Sequence, residues 1–297
     1  MELYNNLSTY FRKRYGKRIK KICIDGGFSC PNRDGKCGTG GCIYCGERGA
    51  GEHIVGGADI AEQVKRVTDK ADRSELFAAY FQSFTNTYAD TEVLRSKYDA
   101  ALCDERIVAL AIGTRPDCID EPTARLIAEY KKRCDVWVEL GLQTANDETA
   151  EIINRGYKTS VFDRAVELLR RYGIPVVVHL IIGLPGEDDK DMADTVEHLA
   201  GLDIWGIKLH GIYVMRGTRL AQMYESGDYT PPTEDEYIRR VIYVLTHTPK
   251  ERVIHRLTGD SPEGMLIAPE WNSDKNRLIS IIQSKMRDEG LTQGCKL

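Results

Sequence analysis

The sequence is short of several things, and each shortage removes a class of protein. No run of 18 apolar residues occurs, so no stretch is long enough to cross a bilayer as a helix. The opening residues, Met1-Glu-Leu-Tyr-Asn-Asn, lack the charged-then-apolar form of a secretory leader. No repeat at a fixed spacing and no low-complexity tract interrupts the chain. A net charge of −4 over 297 residues does not mark a nucleic-acid binder. A second tight cysteine pair is also missing. Cys42-x-x-Cys45 stands alone, whereas structural zinc is usually held by two separated pairs. The nine cysteines are an odd count, and Cys103, Cys118 and Cys134 sit in ordinary apolar surroundings. Such usage fits a reducing cytoplasm, where thiols stay free or bind metal, and disulfides drop out.

What is present is concentrated. Residues 30–45 read Cys-Pro-Asn-Arg-Asp-Gly-Lys-Cys-Gly-Thr-Gly-Gly-Cys-Ile-Tyr-Cys, which places four of the nine cysteines in one stretch. Pro31 with Gly35, Gly38, Gly40, Gly41 and Gly46 excludes a helix or strand interior, so this is a loop. Soft thiol ligands on a backbone free to turn them inward suit a metal site. Two metals compete for it. Zinc would make a structural knuckle. An iron–sulfur cluster takes cysteine at other spacings. Three cysteines on a [4Fe–4S] cluster leave one iron open, able to bind and activate a second molecule.

Charge is unevenly placed. Arg12, Lys13, Arg14, Lys17, Arg18, Lys20 and Lys21 fall within residues 12–21, with Tyr10, Phe11 and Tyr15 interleaved or adjacent. The segment reads either as a phosphate track with stacking surfaces or as a solvated surface.

Beyond it, strand and helix patterns alternate. Strands are expected at 19–25, 76–84, 107–113, 136–143, 176–183 and 205–215, and helices at 58–70, 92–101, 122–133, 161–172 and 192–199. Runs such as 107–112 and 176–182 are apolar rather than alternating, so both faces are buried, as in a parallel sheet with helices outside. Six units are too few for a closed eight-stranded barrel. The expected fold is therefore α/β, a partial (βα)6 TIM-type barrel over residues 1–215 that begins with a basic arm at 1–21. Residues 216–297 read as a C-terminal α/β extension packed on the barrel, with helices at 234–245 and 274–286 and a strand at 253–257. The strand C-terminal ends carry Asp25-Gly26-Gly27, Gln82-Ser83, Gly113-Thr114-Arg115, Gln143-Thr144 and Gly183-Leu-Pro-Gly186. Sites in such folds lie on that rim, and the cysteine loop follows the first strand.

Taken in order, Cys30-Pro31, Cys42-Ile43-Tyr44-Cys45, Gly113-Thr114-Arg115-Pro116-Asp117, Glu139-Leu140-Gly141-Leu142-Gln143-Thr144, Asn154-Arg155-Gly156, His179-Leu-Ile-Ile-Gly183-Leu-Pro-Gly186 and Arg256-Leu257-Thr258-Gly259-Asp260 resemble the radical S-adenosylmethionine (SAM) superfamily. The resemblance is to its bacterial YtqA/YhcC-type branch, related to the elongator catalytic subunit, and runs over nearly the whole chain. It implies a [4Fe–4S] cluster on Cys30, Cys42 and Cys45, with Cys37 an extra thiol; a C-x4-C-x2-C set through Cys37 is the alternative. It also implies SAM on the open iron, reductive cleavage of its sulfonium bond and hydrogen abstraction from a substrate. Carried over residue by residue, Gln82 and Ser83 face the SAM amino group, Arg155 its carboxylate, and Gln143 and Thr144 its ribose. Ile181 packs on the adenine, and Gly183 leaves room for it. Arg115 and Asp117, flanking Pro116, order the cofactor side or pair with each other, and Tyr44 shields the cluster or is a packing tyrosine. Glu139 needs a partner or a raised pKa. His179 and His210 read as core histidines, and Lys208 and Tyr213 as residues that reach the substrate.

The related branch implies tRNA as partner, held by the basic segment at 12–21, with the wobble-uridine side chain carried from 5-carboxymethylaminomethyl towards 5-aminomethyl. An electron donor such as flavodoxin or ferredoxin is implied too. The chain ends at Leu297, without the elongator acetyltransferase domain, so acetyl transfer is not expected. The rival readings are the same chemistry on a small molecule or protein, and a non-catalytic zinc-stabilised nucleic-acid-binding module.

Overall fold

The computed structural model describes residues 2–49, 51, 54, 58–259 and 264–297. Asp260, the end of the last resembling motif, lies outside them. The chain opens with α1 (Leu7–Tyr15) and β1 (Ile19–Ile24), followed by α2 (Ile60–Thr68), β2 (Leu76–Phe81), α3 (Thr91–Ala101) and β3 (Ile107–Thr114). Then come α4 (Glu121–Tyr130), β4 (Asp135–Gln143), α5 (Asp147–Ile152), α6 (Thr159–Arg171), β5 (Val176–Ile182), α7 (Asp189–Ala200) and β6 (Gly206–Gly211). The remainder holds β7 (Val214–Met215), α8 (Arg219–Glu225), α9 (Glu234–Thr246), β8 (Val253–Arg256), β9 (Leu266–Ala268) and α10 (Lys275–Asp288).

The sheet runs β1-β2-β3-β4-β5-β6-β8 and is parallel throughout, an open, partial TIM-type barrel. Its seventh strand exceeds the six-unit expectation. β8 comes from the C-terminal extension and pairs Val253 and Ile254 with Gly206 and Ile207. The extension thus completes the sheet it was expected only to cover. The strand expected at 205–215 is two elements, β6 and β7, and β7 turns aside to pair antiparallel with β9.

Alternation within the strands sorts the two faces. Ile22, Ile24, Phe77, Phe81, Leu110, Ile112, Val138, Leu140, Val178 and Leu180 face the helices in one large core. Ile19, Ala78, Tyr80, Ala109, Ala111, Trp137, Val177 and Val253 form a second cluster with Leu7 and Phe11 of α1. So α1 caps the concave face. It starts where Asn6 accepts a hydrogen bond from Thr9 N at 2.9 Å and ends at Gly16, whose φ of 71° is the left-handed stop that glycine favours. Asn5 O accepts from Ile254 N at 2.8 Å, so the N-terminal segment joins the β8 edge before the chain enters β1 at the other edge.

This places the basic segment at the wrong end for the role expected of it. Arg14 pairs with Asp135, the first residue of β4; Lys17 donates to Ser74 O at 2.9 Å and Lys20 to Glu75 at 2.6 Å, just ahead of and at the approach to β2. All three sit at strand N-terminal ends. The cysteine loop leaves the C-terminal end of β1, and a six-residue strand separates the two ends by ~20 Å. The cations do not lead into the rim, because α1 is bound at the barrel's floor by its apolar residues.

Phe11→Ala should therefore cost ~3–5 kcal/mol in urea unfolding, as a buried aromatic removed from the floor. Lys13→Ala, on the exposed side of α1, should stay within ~0.5 kcal/mol. Equal costs would contradict the capping role of α1.

Candidate functional site

The cysteine loop has no regular structure of its own and is held by side chains from two directions. Asn32, fully buried, donates from Nδ2 to Asn154 O at 2.6 Å and lies 3.8 Å from Cys42 Sγ. Asn154, at a φ of 52°, donates back to Gly41 O at 2.7 Å and Thr39 O at 3.2 Å. Ile43 N reaches Ile153 O at 3.1 Å. Arg33 donates to the carbonyls of Cys45, Gly46 and Glu47, closing the loop's second half. Two glycines are required by these contacts: a Cβ at Gly38 would lie 2.1 Å from Asn32 Oδ1, and one at Gly41 2.8 Å from Arg33 Nε.

Burial pushes the Cys42 thiol up, with Arg115 opposing, and pushes Cys45 up to about 12, with Cys42 adding and Arg33 opposing. Thiolates there need a positive counter-charge, which bound iron would provide. Cys30 adds to the upward push on both. Cys37 is exposed and engaged differently, with Sγ 3.7 Å from Asp117 Oδ2 and 3.8 Å from Arg115 Nη2. Among the described residues no three His, Cys, Asp or Glu converge closely enough to hold a single metal ion. Mononuclear zinc requires such convergence. A cluster takes each cysteine on a different iron and so needs no convergence on one point.

The expected cofactor residues gather on the rim, but not all of them point outward. Arg155 is completely buried. Its five donor groups go to Tyr157 O (3.0 Å), Leu142 O (2.6 Å), Thr144 O (2.7 Å), Asp147 Oδ1 (3.2 Å) and Thr159 Oγ1 (3.2 Å). A guanidinium has no sixth N–H, so Arg155 in this structure braces the turn after β4 and has none left for a carboxylate. At Gly183 an added Cβ would stand 2.6 Å from Pro232 Cδ, and its φ of 98° favours glycine. Arg115 is forked onto Asp117 at 3.0 and 2.8 Å, donates to Arg155 O at 2.9 Å, and lies 4.7 Å from the centre of the Tyr157 ring. Gln143 leaves the strand at a φ of 64°, and its Oε1 lies 3.4 Å from Tyr157 Oη. Thr144 is buried, with Oγ1 accepting from Asn146 N at 3.0 Å. Ile181 lies in the apolar cluster that includes Ile43 and Leu184, with Tyr44 packed against it. Gln82 N bonds Ile24 O at 3.3 Å, which sets Gln82 beside the start of the cysteine loop. Next to it the Ser83 hydroxyl is buried with no hydrogen-bond partner among the described residues, a polar group of the kind a bound ligand would satisfy.

Sequence reasoning passed over Asn32, Arg33, Tyr157 and Glu187. Only the run Asn154-Arg155 beside a cysteine loop hints at the staple. Glu187 follows Gly186; burial pushes its carboxyl up to about 7, with a contact to Thr144 opposing. On the concave face Glu139 finds the partners it needs. Lys208 Nζ and His179 Nε2 both lie 2.7 Å from Oε2, and Oε1 accepts from Trp137 Nε1 at 3.1 Å and Lys21 Nζ at 3.3 Å. Burial alone would raise Glu139; Lys208, Lys21 and His179 pull it well below the usual range. Burial and Lys208 push His179 down to about 4, with Glu139 opposing. His210 lies beside His179 with ring centres 5.3 Å apart. Tyr213 Oη stands near Gly259, where an added Cβ would approach it to 2.7 Å.

A thiol loop on the C-terminal rim of a parallel half-barrel is the arrangement of a cluster-bearing enzyme, and comparison with known families agrees. The Radical SAM superfamily matches residues 35–199 and the Radical SAM C-terminal domain residues 204–288. The chain belongs to the radical SAM superfamily, whose cofactors are a [4Fe–4S] cluster and SAM. Within it the chain is 37% identical to YtqA of Bacillus subtilis, over 98% of this chain and 92% of that protein. It is 30% identical to the tRNA uridine(34) acetyltransferase of Methanocaldococcus jannaschii over 65% of this chain and 35% of that one. The archaeal Elp3 of Methanocaldococcus infernus shares the fold, with a TM-score of 0.69 at 19% identity, over 93% of this chain and 64% of that chain. The superfamily match starts beyond Cys30 and takes in Cys37, Cys42 and Cys45.

Arg155→Ala should lower unfolding stability by at least ~2 kcal/mol, since the buried carbonyls of Leu142 and Thr144 each lose a donor worth ~1–3 kcal/mol. Unchanged stability with weakened SAM binding would instead return Arg155 to direct contact with the cofactor.

Proposed function

We propose that this radical SAM enzyme abstracts hydrogen from the side chain of a modified uridine in tRNA, at a cluster held by Cys30, Cys42 and Cys45. The observation that carries the substrate is the likeness to a tRNA uridine(34) acetyltransferase over 65% of the chain. That enzyme's acetyl transfer is not proposed here, because the shared part is 35% of its length. A CH₂ of a 5-carboxymethylaminomethyl group is the candidate position.

Bound together, the cluster and SAM would supply a reductively generated carbon radical able to take hydrogen from an unactivated carbon. The chain's own residues do the holding. Asn32, Asn154 and Arg33 fix the loop that carries the three cysteines. Ser83 and Gln82 offer polar groups beside the loop, and Gln143 and Thr144 do so at the end of β4. Ile181 supplies an apolar wall. Arg155 and Asp147 brace the turn beneath, so Arg155 acts as a positioning residue. RNA would approach from the rim, since the basic segment lies at the opposite end. A reductant such as flavodoxin or ferredoxin would complete the system.

Anaerobically reconstituted protein should lose its iron–sulfur absorption and its SAM cleavage when Cys30, Cys42 or Cys45 is changed to alanine, and keep both in Cys37→Ala. The reverse behaviour of Cys30 and Cys37 would move the first ligand. For the substrate, mass spectrometry of tRNA nucleosides from cells with and without the protein should reveal a changed uridine derivative. Identical nucleosides would transfer the reading to a small-molecule or protein substrate.

A further inference from the structure

The concave face carries more positive charge than the site described above uses. Glu139 is saturated, with both oxygens accepting two contacts each. The two ammonium groups around it are not. Lys208 gives one N–H to Glu139 and one to Tyr80 Oη at 2.8 Å, leaving a third among the described residues. Lys21 makes a single bond at 3.3 Å and lies over the rings of Tyr80 and Trp137, 4.8 and 5.8 Å from their centres. Lys208 is 4.6 Å from the centre of the same Tyr80 ring. Two cations thus share one carboxylate and one aromatic face. Beside them His210 Nε2 is buried with no partner among the described residues.

The place is partly exposed on its Lys21 side, while Lys208 is buried. The side chains of Lys21 and His179 are 25% and 21% exposed, and Cys23, on the same face of β1, is exposed. A barrel interior that serves only packing is filled by apolar residues; the lower layer here holds Phe11, Ala109, Ala111, Trp137 and Val177, whereas this one holds Lys21, Glu139, His179 and Lys208. Burial pushes Lys208 down to about 7, with Glu139 opposing and Lys21 and Arg256 adding. A second anion would offset that burial.

We propose that this recess binds an oxyanion of the substrate, a carboxylate or a phosphate, through Lys21 and Lys208. The inference rests on the radical SAM reading for the identity of the occupant, while the site itself is defined by the charges. An anion held there would anchor one end of the substrate inside the half-barrel and turn its remaining length towards the rim.

The test uses cluster-reconstituted protein labelled with ¹⁵N-histidine. Sodium acetate and sodium phosphate are titrated against sodium chloride at constant ionic strength, and the ring nitrogens of His179 and His210 are followed. A saturable shift with acetate, phosphate or both is expected, and the two arms identify the headgroup. Lys21→Met and Lys208→Met should each weaken it at least ~10-fold, the loss of a charged hydrogen bond. Lys20→Met, on the outer face of β1, should leave it intact. Should Lys208→Met fail to fold, Lys21→Met decides, because that side chain is partly exposed. No saturable shift in the unaltered protein, or an affinity in both lysine variants unchanged from that of the unaltered protein, would overturn the proposal and leave these charges as barrel packing. Cluster absorption read on the same samples separates this failure from a failure of the radical SAM reading.

Discussion

A glycine-rich loop cannot hold three thiols in place by itself. Its backbone has too many accessible conformations, and fixing each residue costs ~1–2 kcal/mol. The staple between Asn32 and Asn154 answers that cost. Each side-chain amide donates to backbone carbonyls of the other segment. The staple ties the loop after β1 to the turn after β4, and Arg155 in turn fastens that turn to Leu142 and Thr144. The cysteines are therefore positioned by strands on either side of the rim. Loss of the Asn32 amide would remove one half of the staple and leave the bonds from Asn154 to Thr39 and Gly41 and from Ile43 to Ile153.

The same sheet does three different things along its axis. At its floor, Trp137 packs edge to face on Trp205 and tilted against Phe11, with ring centres 5.5 and 6.0 Å apart. At mid-height, Glu139 gathers Lys21, Lys208 and His179, an arrangement whose burial is tolerable only because every carboxylate lone pair is met. At the rim, the loops carry thiols, glycines and short polar side chains. The sequence of apolar, ionic and ligand-binding layers follows from strand alternation: Trp137 and Glu139 are two residues apart on one strand, and so are Lys208 and His210.

The parallel sheet was legible in the sequence because apolar runs recur between amphipathic helices, a pattern that needs no distant information. The rim was legible because polar and glycine residues collect where strands end. What could not be read depends on contacts between remote segments. An added Cβ at Gly183 would meet Pro232, which is 49 positions away by residue number. Arg155 spends its donors on carbonyls, a choice that residue type does not reveal. The cations at 12–21 look like a patch in one dimension, yet Lys20 and Lys21 point to opposite faces of β1, one to Glu75 and one to Glu139. β8 went unassigned to the sheet because four residues carry too little periodicity to show their partner.

The central claim is that the rim loop presents a cluster with one iron open to SAM. The most direct measurement is the electron paramagnetic resonance spectrum of the reduced, reconstituted protein before and after SAM is added. The account predicts a [4Fe–4S] signal whose shape changes on addition, because SAM enters the coordination of the open iron, and the same change in Cys37→Ala. A signal indifferent to SAM, or a protein that binds zinc in place of iron and shows no such signal, would contradict it.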